Sequence, residues 1–135
     1  MFQAENTEVL GISGNAPFSQ KAFADFAKIA YPLLSDRDGK VMQAFGVYDE
    51  PRRVAKRSYI IIDKDGVVRY LNIRPSNSEK DLLSTQELLA EVKKVNKSQQ
   101  IASWARIIIV VVDSQLAADR LWRWRSYASC PIAAE

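Results

Sequence analysis

The chain has 135 residues, of which 47% are hydrophobic and 26% charged, with a formal net charge of +3 and a pI near 9.1. That size and balance fit one globular domain and leave no room for two. A single cysteine and no histidine exclude an internal disulfide, zinc sites of the Cys/His type and any Ser-His or Cys-His catalytic pair.

Residues 1–6 show no basic stretch followed by an apolar run, and no apolar segment reaches the ~20 residues that span a bilayer, so the sequence predicts a cytoplasmic protein. Residues 7–12 are short and apolar (Val9, Leu10, Ile12) and end at Ser13-Gly14-Asn15, as a buried strand entering a loop would. Over residues 17–28, Phe18, Ala22, Phe23, Phe26 and Ala27 form one apolar helical stripe, with Pro17 tolerated in the first turn. Residues 31–34 are a brief extended piece. Ser35 or Asp36 is placed to cap a short helix through Phe45, which Gly46 stops.

The strongest local pattern follows. A β-branched run at 59–62, the turn Asp63-Lys64-Asp65-Gly66 and a second run at 67–73 predict a β-hairpin, because Asp-Gly supplies the positive φ of a tight turn. A helix then opens at Ser78 or Ser84 and runs to about Val95, with Leu82, Leu83, Leu88, Leu89, Val92 and Val95 inward. The order β-α-β-α-β-β-α describes an α/β fold without singling one out.

The last part has a different accent. All five glycines lie at or before Gly66 and every lysine at or before Lys97. All three tryptophans (Trp104, Trp122, Trp124) and Cys130 come later, and the late positive charges are all arginine. The shift puts a boundary near the polar joint at 96–100, separating residues 1–97 from a tail at 98–135. Within the tail, residues 107–112 are six consecutive β-branched residues, suited to a buried strand or an aggregation-prone segment. Residues 117–127 are compatible with a helix. If the chain unfolds cooperatively, residues 107–112 are expected to fill a missing strand.

Val9-Leu10-Gly11-Ile12-Ser13 with Pro17-Phe18-Ser19-Gln20-Lys21-Ala22-Phe23 resembles the peroxiredoxins of the alkyl hydroperoxide reductase and thiol-specific antioxidant type. So do Pro32-Leu33-Leu34-Ser35-Asp36, Ala44-Phe45-Gly46-Val47-Tyr48 and Lys56-Arg57-Ser58-Tyr59-Ile60-Ile61-Ile62-Asp63. The blocks stand in family order across residues 1–97, and their flavour is similar to the bacterioferritin-comigratory-protein-like members. The resemblance implies an α/β, thioredoxin-like fold that is incomplete here. It implies reduction of hydrogen peroxide and organic hydroperoxides by a cysteine thiol, without metal or flavin, with a thioredoxin-like thiol reductant and a homo- or heterodimer as partners.

In that family a Thr-x-x-Cys motif opens a helix ahead of the strand matched by Val9-Leu10-Gly11, and residues 1–6 would be that helix's last turn. Helix N-termini stabilise thiolates, and the thiolate attacks peroxide to give a sulfenic acid. The motif is not found in these 135 residues, whose one cysteine is Cys130, so no peroxidase activity of their own is expected. Arg57 matches the family arginine that lies over thiolate and peroxide, where a permanent guanidinium lowers the thiol pKa and donates to substrate oxygens. The alternative is that Arg57 is one more member of the solvated basic run at 52–57. Asn15 stands where relatives commonly carry an acidic residue.

Three other readings compete. Cys130, with Arg123 and Arg125 near in sequence, is a substitute nucleophile or an incidental exposed thiol. Trp104-Ala105-Arg106 and Leu121-Trp122-Arg123-Trp124-Arg125 alternate aromatic and basic residues, a pattern for single-stranded nucleic acid or an anionic membrane. The abrupt compositional break favours a non-native C-terminus, for example read-through past an original end near Asn96, and the charge excess is too small to argue for nucleic acid by itself, so neither ligand is expected. A fragment that pairs with an intact relative through an open sheet edge is the third.

Overall fold

A computed structural model of the chain describes residues 2–76, 78–98 and 107–112. Seven strands and three helices follow in order: β1 (Thr7–Ser13), α1 (Pro17–Ala27), β2 (Leu33–Ser35), α2 (Lys40–Ala44), β3 (Tyr48–Asp49), β4 (Val54–Ala55), β5 (Ser58–Ile62), β6 (Val68–Ile73), α3 (Thr85–Ser98) and β7 (Ile107–Val112). Short 3₁₀ turns cover Phe2–Glu5 and Glu79–Asp81. Five strands form one mixed sheet in the order β2-β1-β7-β5-β6, and β3 with β4 makes a separate small hairpin that the sequence pattern did not reveal.

The strand written last sits in the middle. Along β7, Thr7 to Ile12 of β1 pair in parallel with Ile107 to Val112, while Ser58 to Ile62 of β5 run antiparallel to its other edge. Of the two fates open to this β-branched run, the buried strand is the observed one. Its side chains alternate between the two faces, as strand geometry requires. Val110 and Val112 join Ile12, Met42, Val47, Ala55 and Ile60 on the α2 side. Ile107 and Ile109 join Tyr59, Ile61, Leu88, Val92 and Val95 on the α3 side. Buried on both faces, the strand needs no polar alternation, which explains its uniform sequence.

The hairpin β5–β6 forms as predicted, with Gly66 at φ +79°. Asp63 organises the turn: its Oδ1 accepts from the backbone N–H of Asp65 and of Val67, both at 2.9 Å, and its other oxygen pairs with Arg69. Gly11 answers a different need, since a Cβ there would stand 2.5 Å from Leu33 Cδ2 across the β1–β2 contact.

The predicted apolar stripe of α1 is only partly correct. Phe18 and Phe26 are exposed, at 87% and 69%, and the residue the helix buries is Gln20 at 1%. One end of the Gln20 amide anchors the helix: Nε2 donates to Leu34 O (2.7 Å), Ser13 Oγ (3.0 Å) and Ser13 O (3.3 Å), tying α1 to the ends of β1 and β2, while the buried Oε1 has no hydrogen-bond partner among the described residues. Helix α2 starts later than expected, at Lys40, with Asp36 Oδ2 accepting from Met42 N–H at 2.9 Å. Leu82 and Leu83 precede α3 instead of lining it, and Leu88, Val92 and Val95 carry its buried face.

Ser84 is the start signal of α3. Its Oγ accepts from Glu87 N–H (3.2 Å), and Glu87 Oε2 accepts from Ser84 N–H (2.8 Å) and Oγ–H (2.7 Å), a reciprocal capping box. These bonds, backbone first, hold the Glu87 carboxyl below its ordinary range; the Arg74 guanidinium adds a smaller pull, and desolvation opposes it.

Two outcomes follow from this packing. In urea denaturation, Ile109→Ala should destabilise the chain by about 2–5 kcal/mol, while Val67→Ala, at a 45% exposed site, should stay within about 0.5 kcal/mol; equal small effects would show that β7 is not seated in the core. In an NMR titration, Ser84→Ala should raise the Glu87 carboxyl toward the ordinary glutamate value by more than Arg74→Gln does. Because the folded-state pKa is lowered, the stability from this contact is present above the ordinary value and fades as pH falls through the folded-state one.

Candidate functional site

The parallel strands β1 and β7 end at Ser13 and Val112, and β5 begins beside them, with Ser58 paired to Val112. This C-terminal edge of parallel strands is where open α/β sheets gather ligand-binding loops. Arg57 lies on it, one residue ahead of β5. It is only 5% exposed, unlike Arg52, Arg53 and Lys56, which are exposed. Burial therefore separates Arg57 from the solvated basic run. Counting the alternation back from Tyr59 and Ile61, which pack on Leu88 and Val92, puts Arg57 on the α3 face of the sheet.

The surroundings hold its backbone tightly. Lys56 N–H donates to Val47 O (2.7 Å), Arg57 O accepts from Arg74 N–H (2.8 Å), and Ser58 Oγ donates to Lys56 O (2.8 Å). The β3–β4 hairpin turns the chain just upstream and brings Arg53, Val54 and Ala55 against Gly14 and Asn15, so that these five residues line a shallow cleft beyond the end of β1. Asn15 is fixed from both sides: its N–H donates to Ser13 Oγ (3.2 Å), and its carbonyl accepts from Ser35 Oγ (2.6 Å). Asn15 thus lies in a hydrogen-bonded loop on the same edge as Arg57.

A second arginine stands beside the first. The β5–β6 register pairs Ser58 with Ile73 and Tyr59 with Asn72, so Arg57 and Arg74 are the next opposed pair and share a face. Arg74 Nη1 donates to Asn72 Oδ1 at 3.1 Å, and its buried Nε has no hydrogen-bond partner among the described residues. Sequence reading did not single out Arg74 or Gln20. The register that opposes Arg74 to Arg57 depends on a shift between Ile61 and Ile62, and a strand sequence does not show such an irregularity.

Cys130, Trp104, Trp122, Trp124 and the tail arginines Arg106, Arg120, Arg123 and Arg125 lie outside the described residues. Among the described residues no three side chains are grouped to hold a metal ion, and no helix is long and apolar enough to cross a membrane.

Comparison with known proteins identifies the family. The AhpC/TSA family model matches residues 1–71. The chain is 30% identical over 112 residues to the chloroplastic 2-Cys peroxiredoxin BAS1 of Hordeum vulgare, covering 76% of this chain and 53% of that one. It is 37% identical over 93 residues to the chloroplastic peroxiredoxin Q of Sedum lineare, covering 68% and 50%. With alkyl hydroperoxide reductase E of Mycobacterium bovis the figures are 30% over 82 residues, 59% and 54%. The chain spans about half the length of these curated relatives, and they divide among several peroxiredoxin types. The mixed sheet, the helices on it and these matches agree at the level of the family: the chain belongs to the AhpC/TSA family of peroxiredoxins.

Proposed function

We propose that these 135 residues carry the substrate-arginine portion of a thiol-dependent peroxide site and do not turn over peroxide by themselves. The observation that carries this reading is Arg57, buried at the end of β7 and β1 with its backbone pinned by Arg74. A guanidinium in that position donates to both oxygens of a hydroperoxide and favours a neighbouring thiolate. In the reaction a thiolate sulfur bonds to one peroxide oxygen as the O–O bond breaks. The alkoxide or hydroxide leaves with a proton, and the sulfenic acid is then reduced by a second thiol of thioredoxin-like type. The only sulfur nucleophile in the 135 residues is Cys130. A free thiol has a pKa near ~8.5 and is only a few per cent thiolate at neutral pH. Residues 1–97 are read as the family-derived part and 98–135 as an added segment that contributes β7 to the family sheet. The proposed location is the cytoplasm.

Pairing with a second, intact peroxiredoxin is the other reading with an observation behind it. Strand β6 lies at the sheet edge and exposes Val68, Leu71 and Ile73, at 42%, 46% and 43%. Such an edge invites strand pairing in trans.

Purified chain with excess dithiothreitol should consume hydrogen peroxide and cumene hydroperoxide no faster than buffer, and Cys130→Ser should be indistinguishable from it. Consumption that Cys130→Ser abolishes would assign the reaction to Cys130 and overturn the inactive reading. Co-expression with an intact relative followed by sizing should give a mixed complex; wholly separate elution would remove the pairing reading.

A further inference from the structure

We propose that residues 113–135 dock on the open part of the sheet face that carries α2, with Leu121, Trp122 and Trp124 as the side chains that cover it. The strand register defines that face. Ile12, Val112, Ser58 and Ile73 stand in one row across the sheet. Leu10, Val110, Ile60 and Leu71 form a second row, and Ile108, Ile62 and Val68 a third. Directly opposed residues share a face, so all three rows lie on the side of Met42 and Val47.

The cover over these rows is uneven. Val110, Val112 and Ile60 are buried with Met42, Val47 and Ala55 of α2 and the β3–β4 region. Toward β6 the cover gives out: Ile62 and Ile108 are half-buried, and Val68, Leu71 and Ile73 are exposed. The opposite face carries both longer helices, α3 through Leu88 and Val92 and α1 through the Gln20–Ser13 contact. Among the described residues the helix on the α2 side has five residues, too short to reach β6 as well. A contiguous apolar patch on one face of a sheet marks a contact surface.

Chain placement selects the occupant. Strand β7 is the middle strand and ends at Val112, in the first row of this same face. From there β6 is two strands away, about 10 Å, and four extended residues span about 13 Å, so residues 113–116 suffice as a connection. Residues 117–127 fit a helical pattern, and as a helix they would be about 16 Å long, against about 13 Å along the three rows. Helical spacing then groups Ala117, Leu121, Trp122 and Trp124 opposite Asp119, Arg120 and Arg123. The tether at Val112 gives the segment an effective concentration of millimolar order, which a second copy reaches only in concentrated solution. Pairing in trans uses the backbone edge of β6, whereas this contact uses the side chains of the face.

The test uses the full chain carrying Trp104→Phe, in which Trp122 and Trp124 are the remaining tryptophans. Their emission should lie to the blue of that of the urea-unfolded chain, and acrylamide should quench it less. Leu71→Asp places a charge on the open face and should move both readings toward the unfolded values. Phe26→Asp, the same kind of change at an exposed site of α1, should leave them as in the parent. A nitroxide on Cys130, the single thiol of the chain, gives a second readout if Leu71→Asp does not fold. It should broaden the amide signals of residues 68–73 more than those of α1. Quenching in the parent equal to that in urea, equal readings for the parent and a folded Leu71→Asp, or broadening centred on α1 would overturn the proposal. So would protection that disappears on dilution together with a dimer in sizing, the result expected if a second copy covers the face. Neither readout involves peroxide or an intact relative, so failure here is distinguishable from failure of the functional reading.

Discussion

Within the five-stranded sheet of the described residues, Ile107–Val112 is the strand that joins β1 and β2 on one side to β5 and β6 on the other, and both apolar clusters take residues from it. Removing it would leave two two-stranded pieces, each with an unpaired edge and an uncovered apolar face, and isolated pairs of strands are marginal in water. Six β-branched residues with no polar alternation would be a hazard at an edge and are well suited to the centre. The arrangement of the sheet, and with it the position of Arg57 at the start of β5, depends on this strand holding β1 and β5 at a fixed separation.

The candidate site follows from that constraint. Because β7 runs parallel to β1 and antiparallel to β5, the ends of β1 and β7 and the start of β5 converge on one edge. Arg57 sits at the convergence. The Gln20–Ser13 contacts fix the end of β1 on this edge, the short β3–β4 hairpin leads the chain into β5, and the β5–β6 ladder adds Arg74. Arg57 O accepts from Arg74 N–H and the preceding Lys56 N–H donates to Val47 O, so the location of Arg57 is a property of the sheet and not of a flexible basic loop. That is the physical sense in which an arginine in a run of arginines differs from its neighbours.

Family membership and chemistry stand at different levels here. The matched blocks and the fold agree on a peroxiredoxin, and the relatives span several of its types. A family assignment says which reaction its members support. What burial, register and hydrogen bonding establish in this chain is a placement, with Arg57 and Arg74 opposed at the sheet edge.

Local chemistry was legible in the sequence. Asp63 through Gly66 announced the hairpin because few residues accept that turn, and the start of α3 was narrowed to Ser78 or Ser84, between which the reciprocal bonds of Ser84 and Glu87 decide. The series of blocks from Val9 to Asp63 carried the family, and with it the interest in Arg57. Tertiary structure alone decided the rest. A run such as Ile107–Val112 has no period that names its partners, so its place between β1 and β5 came from what needed covering. The apolar pattern of α1 suggested Phe18 and Phe26 as buried, yet the helix buries Gln20, whose amide nitrogen anchors it to the ends of β1 and β2. Arg74 became a neighbour of Arg57 only through a register irregularity between Ile61 and Ile62. Long-range pairing and polar satisfaction at a distance depend on which surfaces meet, and a sequence read along its own length does not contain that.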